Sequence, residues 1–250
     1  IVFLAKYLAD HEEESHQLHW ILLSAVFVLP AVFLIYRQPD LGTALVVAVV
    51  WFGMVFTGGI RLRHLGLLGI AAAAASPLVW LSLKDYMQQR ILVFLNPTQD
   101  ASGMSYNTLQ ALTSIGSGGL YGKGFLKGTQ SQLYFLRVRH TDYIFSVLCE
   151  ELGFVGAVGL LSLLLILLWR ILRAASLARD AFGRLIACGV ATMIFFQAFV
   201  NIAVNVNLLP VTGLTLPLVS YGGSSLWATL LSLGLAESVV MRHKKLDFGE

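Results

Sequence analysis

A histidine, a threonine and an aspartate stand together at His140-Thr141-Asp142, where a long polar segment that begins at Lys84 comes to its end. Tyr143-Ile144-Phe145 then opens a strongly apolar run. A carboxylate held where a polar segment meets the bilayer suits proton transfer on a lipid-borne substrate, as a general base within reach of a headgroup. At its ordinary pKa of about 3.9 an aspartate is a weak base at pH 7; partial burial raises that value and strengthens it. The same residues fit a purely structural role, because Thr and Asp are favoured N-caps and an apolar helix starts directly after them. His140 either orients the acid or is an interfacial side chain. Spacing alone leaves both roles open.

Other polar groups fall inside apolar surroundings. Glu150 and Glu151 lie about two turns into the run that follows Asp142, roughly 12–14 Å along a helix axis. Acids at that depth face a polar cavity or are paired with another helix. Asn201 and Asn205 are four apart and so share one helix face, for substrate contact or for hydrogen bonding between helices. The stretch Leu208–Ser225 contains two prolines, three glycines and several hydroxyls, including Ser220. It predicts irregular backbone, which at membrane depth must be buried in protein or line a wet cavity. Ile115-Gly-Ser-Gly-Gly-Leu-Tyr-Gly-Lys-Gly-Phe suggests a phosphate loop, but Ser117 stands where the first Walker glycine belongs and Gly124 follows Lys123. It reads instead as tight turns or as a bare backbone surface for a bulky headgroup. Cys149 and Cys188 lack metal-ligand spacing and imply no disulfide framework.

The elements that position these groups are membrane helices. Apolar residues make up 57% and charged residues 12%, with mean hydropathy +0.75; soluble domains carry about 45–50% and about 25%. The apolar runs predict six spans, near 18–36, 41–59, 65–83, 143–170, 185–207 and 222–241. They are continuous rather than alternating, which excludes a strand-built barrel. The span from Tyr143 to Arg170 exceeds the bilayer thickness and is expected to bend at Gly153 or Gly156. Residues 1–9 are too short to span and read as an interfacial helix or the tail of a preceding segment, so further N-terminal spans are expected. Arg61, Arg63, Arg170, Arg173, Arg179, Arg184, Arg242, Lys244 and Lys245 cluster in short connections and at the C-terminus, which places those ends in the cytoplasm. The segments 37–40, 84–142 and 207–220 then face outward. The net charge of +3 is a topology signal and does not point to nucleic acid.

Five segments in order carry a family resemblance. They are Asp85-Tyr86…Gln89-Arg90-Ile91, Leu95-Asn96-Pro97…Asp100, Gly128-Thr129-Gln130-Ser131-Gln132, His140-Thr141-Asp142-Tyr143-Ile144-Phe145…Glu150-Glu151-Leu152-Gly153, and Leu209-Pro210-Val211-Thr212-Gly213…Pro217-Leu218-Val219-Ser220-Tyr221-Gly222-Gly223-Ser224. Together they resemble the SEDS family (shape, elongation, division and sporulation), and Gly-Thr-Gln-Ser-Gln is closer to its elongation branch than to its division branch. The resemblance runs over essentially the whole chain. It implies an all-α polytopic transmembrane helix bundle forming one domain over residues 1–250. These would be the last six of ten spans, with residues 84–142 as a large extracytoplasmic loop.

The resemblance further implies a bacterial inner-membrane peptidoglycan glycosyltransferase that polymerises lipid II on the outer face. Its expected associates are the nascent glycan and a class B penicillin-binding protein. The family's essential acid falls on Asp142, with undecaprenyl pyrophosphate as the leaving group. Arg90, Lys127 and Lys123 are the candidates for holding that pyrophosphate. His140, Thr141, Glu150, Glu151, Asn201, Asn205 and Ser220 complete the candidate substrate site. No cofactor is evident; a divalent cation, Mg or Mn, could assist, though no acidic cluster demands one. Two departures stand out: Arg137-Val138 where the family often has Pro-Glu, and Gln88 in place of an arginine. The alternatives are a lipid II flippase, using Glu150, Glu151 and Asn201–Asn207 as a passage, and a non-catalytic membrane scaffold for cell-wall enzymes.

Overall fold

The computed structural model of the protein describes residues 1–12, 18–95, 104–133, 135–136 and 140–242. The motif residues Asn96, Pro97 and Asp100, the departure at Arg137-Val138, Arg139, and the basic Lys244 and Lys245 lie outside the described residues. Among the described residues the regular structure is entirely helical: α1 Val2–Asp10, α2 Leu18–Arg37, α3 Leu41–Thr57, α4 Leu62–Ser82, α5 Asp85–Leu95, α6 Met104–Gly118, α7 Thr129–Gln132, α8 Ile144–Leu177, α9 Ala181–Asn205 and α10 Gly223–Met241. Five of these, α2, α4, α8, α9 and α10, are long and apolar enough to cross a bilayer, and α3, at 17 residues, is a shorter apolar helix. They coincide with the six runs predicted from sequence, and the protein is a multi-pass membrane protein. Within the polar residues 84–142 lie three helices, α5, α6 and α7.

The chain divides into two compact units. One comprises residues 1–76, 167–196 and 227–250. Its interior is built by α3 and the first half of α9, where Val50, Met54, Leu185, Val190 and Ile194 are buried. The two helices approach closely because small residues meet there. A Cβ at Gly53 would lie 2.6 Å from Thr192 Oγ1, and one at Gly189 would lie 2.8 Å from Met54 Sδ. Without a hydrophobic drive between helices in lipid, such close packing supplies the association energy. Trp51 Nε1 donates to Ser24 Oγ at 2.9 Å, which ties α2 to α3, and Asp40 caps α3 by accepting from Thr43 N at 2.9 Å.

The other unit comprises residues 77–166 and 197–226 and holds the candidate site. Its core is Phe145, Cys149, Ala157 and Leu164 of α8 with Ala198 of α9 and Leu216. Here α8 is broken. Gly153 adopts φ 66°, ψ −162°, a conformation essentially confined to glycine, so the expected bend falls at this residue. The break removes the bonds from Phe154 and Val155 N–H back to Glu150 and Glu151. The turn after α6 takes their place: Lys123 N and Gly124 N donate to the Glu150 and Glu151 carbonyls at 2.9 and 3.0 Å, while Phe154 N and Val155 N donate to Gly119 O and Leu120 O at 2.9 and 3.1 Å. The glycine-rich stretch is thus a wedge seated in a helix. Glycine is required because a Cβ at Gly118 would strike the Cys149 carbonyl and one at Gly122 the Glu151 carbonyl. Gly116 and Gly118 belong to α6, and the turns begin at Gly119.

Candidate functional site

The site is assembled around the residues just before α8. The carbonyl of His140 accepts from Tyr221 N at 2.9 Å. The carbonyl of Thr141 accepts from Ser220 Oγ at 2.7 Å. Ser220 Oγ in turn accepts from Leu216 N at 2.8 Å, inside the irregular stretch that precedes α10. The carbonyl of Asp142 accepts from Asn205 Nδ2 at 2.8 Å and Asn201 Nδ2 at 3.1 Å. As predicted, the residues between α9 and α10 are not helical: Asn207, Gly213 and Leu218 take positive φ, and Leu216 and Pro217 are buried.

The carboxyl of Asp142 is half-buried, and burial raises its pKa above the ordinary 3.8. A hydrogen bond from the Thr141 side chain and the positive charge of Arg90 act in the opposite direction. A raised pKa makes it a better base near neutral pH than a solvated aspartate. One of the free N–H groups in the first turn of α8, that of Ser146, is met by Asn205: its Oδ1 accepts from Ser146 N at 3.0 Å and from Ser146 Oγ at 2.6 Å. Among the described residues the Asp142 carboxyl takes no N–H of that helix. The capping role that competes with catalysis in the sequence therefore belongs to Asn205.

Arg90 projects from α5 into the same unit. Its Nη1 donates to Val211 O at 3.2 Å, its guanidinium lies 5.4 Å from the Tyr86 ring centroid, and its Nε is buried with no protein acceptor. It lines a cavity with Phe94, Ser105, Thr108, Asn207 and Pro210. A guanidinium with a donor to spare beside hydroxyl and amide groups suits an anionic or sugar-like ligand. Tyr143, buried, brings its hydroxyl within 3.4 Å of Thr108 Oγ1. Buried beside the acid, it is a hydrogen-bonding group in the wall of the site. Tyr143 and Tyr86 stand in the segments that carry the family resemblance but are not among the site residues expected from sequence, and Thr108 is not among them either. Tyr143 was there to be noticed beside the acid, whereas Thr108 carries no local signal.

The remaining candidates fall into a second group. Glu150 is fully buried, and its Oε1 accepts from Lys123 Nζ at 2.9 Å, Gln130 N at 2.9 Å and Thr129 Oγ1 at 3.3 Å. It is a structural ion pair that also caps the single turn of α7, one of the two roles open in the sequence. Lys123 directs its charge to this acid. Glu151 is buried and its carbonyl anchors Gly124. Lys127 and His140 are exposed. Thus the structure gathers Asp142, Thr141, Arg90, Asn201, Asn205 and Ser220, and groups Lys123 with Glu150. Among the described residues no group of three or more His, Cys, Asp or Glu is positioned to hold a metal ion.

Comparison with known proteins gives a consistent result. The family model of the FtsW, RodA and SpoVE cell cycle proteins matches residues 1–245. The chain is 43% identical to the peptidoglycan glycosyltransferase MrdB of Escherichia coli over 226 residues, covering 90% of this chain and 61% of MrdB. It is 38% identical to the stage V sporulation protein E of Bacillus subtilis, covering 96% of this chain and 65% of that protein. Among solved structures it is similar to the rod shape determining protein RodA of Thermus thermophilus, at 39% identity and TM-score 0.65, over 98% of this chain and 64% of RodA. It is also similar to a chain of a peptidoglycan synthase complex that coordinates polymerization and crosslinking, at 41% identity and TM-score 0.72, over 88% and 61%. The chain therefore spans a little over three fifths of these relatives' lengths.

Proposed function

We propose, from the premise that this chain belongs to the FtsW/RodA/SpoVE family of cell cycle proteins, that it carries the reacting acid of a peptidoglycan glycosyltransferase acting on lipid II during cell elongation. The observation that supports this most is the half-buried Asp142, its pKa raised by burial and its backbone held on both sides, with the charge of Arg90 close enough to act on it. In this reading the Asp142 carboxylate accepts the proton of the acceptor sugar hydroxyl. The hydroxyl oxygen attacks the donor's anomeric carbon. The bond to undecaprenyl pyrophosphate breaks with its electron pair going to the leaving group, whose growing charge Arg90 offsets. Lys127, exposed on the turn before α7, is the second cation within this proposal, and residues 84–142 and the site face the outside of the cytoplasmic membrane. A class B penicillin-binding protein is the proposed partner, in keeping with the similarity to a chain of a synthase complex.

The flippase reading uses Glu150, Glu151 and Asn201–Asn207 as a passage. Glu150 is engaged by Lys123, and Asn201 and Asn205 by backbone groups, which favours catalysis. The test is polymerisation of purified lipid II by the full-length protein in detergent, where flipping has no meaning. Glycan chains support the proposal; their absence under conditions where a related polymerase is active would overturn it.

A further inference from the structure

We infer that Asn205 is a positioning residue for Asp142, holding the acid's peptide through its amide N–H and the start of α8 through its amide oxygen. This rests on the catalytic reading of Asp142 and deepens it. Asn205 is fully buried and Asn201 nearly so, at 0% and 1% exposure. Every polar atom of the Asn205 side chain is already used. Nδ2 donates to Asp142 O at 2.8 Å and Asn201 O at 2.9 Å, and Oδ1 accepts from Ser146 N and Ser146 Oγ. Substrate contact would require breaking one of these bonds inside the protein, where an unmet polar group is costly. The expectation that Asn205 binds substrate is thereby replaced.

The geometry also explains what is gained. The peptide before Asp142 is tied through the Thr141 carbonyl to Ser220, and the peptide after it through the Asp142 carbonyl to Asn205 and Asn201. With both flanking peptides fixed, the backbone dihedrals of Asp142 are fixed, and its carboxyl can move only about its own side-chain torsions. Thr141 and Arg90 then select among those orientations. A base must stand within hydrogen-bond reach of its proton, and a displacement of about 1 Å can cost on the order of a hundredfold in rate. The donor and acceptor halves of Asn205 have separable consequences: the acceptor half completes the first turn of α8, and the donor half sets the acid.

The experiment uses the full-length protein with lipid II, measuring kcat and KM per folded molecule, with folded protein quantified by size-exclusion chromatography. Asn205→Asp retains an acceptor for Ser146 and loses the donor to Asp142. It and Asn205→Ala should each lower kcat by about tenfold or more with KM within about twofold of wild type. Ser146→Ala, which removes one bond to the acceptor half, should leave kcat within about twofold. In the Asp142→Asn background neither Asn205 substitution should lower kcat further, because residues that act as one unit are non-additive. Should the Asn205 variants fold poorly, Ser220→Ala, which frees the Thr141 side of the acid, should show the same split of kcat from KM and the same non-additivity. A raised KM would make Asn205 a substrate contact. Wild-type kcat per folded molecule in Asn205→Asp would make it only a cap. Additive losses in the Asp142→Asn background would overturn positioning while leaving Asp142 catalytic; full activity of Asp142→Asn alone would overturn both readings.

Discussion

Gly153→Ala tests whether the break in α8 is a built feature. The native φ of 66° with ψ −162° costs a non-glycine residue about 1–3 kcal/mol. The new methyl would also strike the Gly122 nitrogen and stand 2.6 Å from the Leu120 carbonyl oxygen. The chain can escape only by expelling the wedge and closing α8 into a continuous helix. That exchanges the wedge's four backbone bonds for two helical ones, a net loss of about 1–3 kcal/mol at about 0.5–1.5 kcal/mol per bond. It also separates Lys123 from Glu150. Either route gives an expected loss of about 2 kcal/mol, or about 4–8 °C in Tm for a chain of this size. Gly159→Ala is the control, since it lies in the same helix with nothing within 4 Å of its Cβ, and it should be neutral or stabilising by up to about 1 kcal/mol. Thermal unfolding of both variants, followed by fluorescence-detected size exclusion, decides the matter. A Gly153→Ala protein melting within about 1 °C of wild type would refute the wedge.

Three further outcomes are expected. Lys123→Met leaves the buried Glu150 without its cation and should cost about 3–5 kcal/mol; adding Glu150→Gln should restore most of the lost Tm. Because burial raises the Asp142 pKa and Arg90 lowers it, the acid limb of the pH–kcat profile should lie above the ordinary aspartate range, and Arg90→Gln should move it higher; an unmoved limb would separate Arg90 from the acid. The protonated acid is the form the fold favours, so Asp142's contribution to stability is complete below its ordinary pKa and is lost as pH rises through the raised value. A cysteine at Lys127 should react with an impermeant maleimide on intact cells and one at Arg179 only after permeabilisation; reversed labelling would move the site to the wrong side of the membrane.

The helices were legible because each apolar run is long enough to identify itself, down to the start of α2 at Leu18 and α3 at Leu41. The far end of α8 is not legible: the span expected to close near Arg170 continues as helix to Leu177, because Arg170 and Arg173 can keep their charged ends in water while their stems stay helical. Residues 84–142 read as loop because polarity signals water, not conformation, and Ser and Gly in α6 weaken any helical pattern. The acid itself was visible as a residue type at a boundary. What holds it was not, since Asn205 and Ser220 lie 63 and 78 residues further along the chain. The wedge was hidden for the same reason: its glycines are explained only by the backbone of α8 that they touch.

The most direct test of the catalytic reading is lipid II polymerisation by full-length Asp142→Asn beside wild type, with Tm measured on the same preparations. The substitution keeps the shape and the Thr141 neighbour, removes a half-buried charge, and leaves in place the bond from Asn205 to Ser146 N in the first turn of α8. Tm should be equal to wild type or higher. Polymerisation should fall by about a hundredfold or more, the range for loss of a general base. Glycan synthesis within about threefold of wild type, at unchanged Tm, would contradict the assignment of Asp142 as the base.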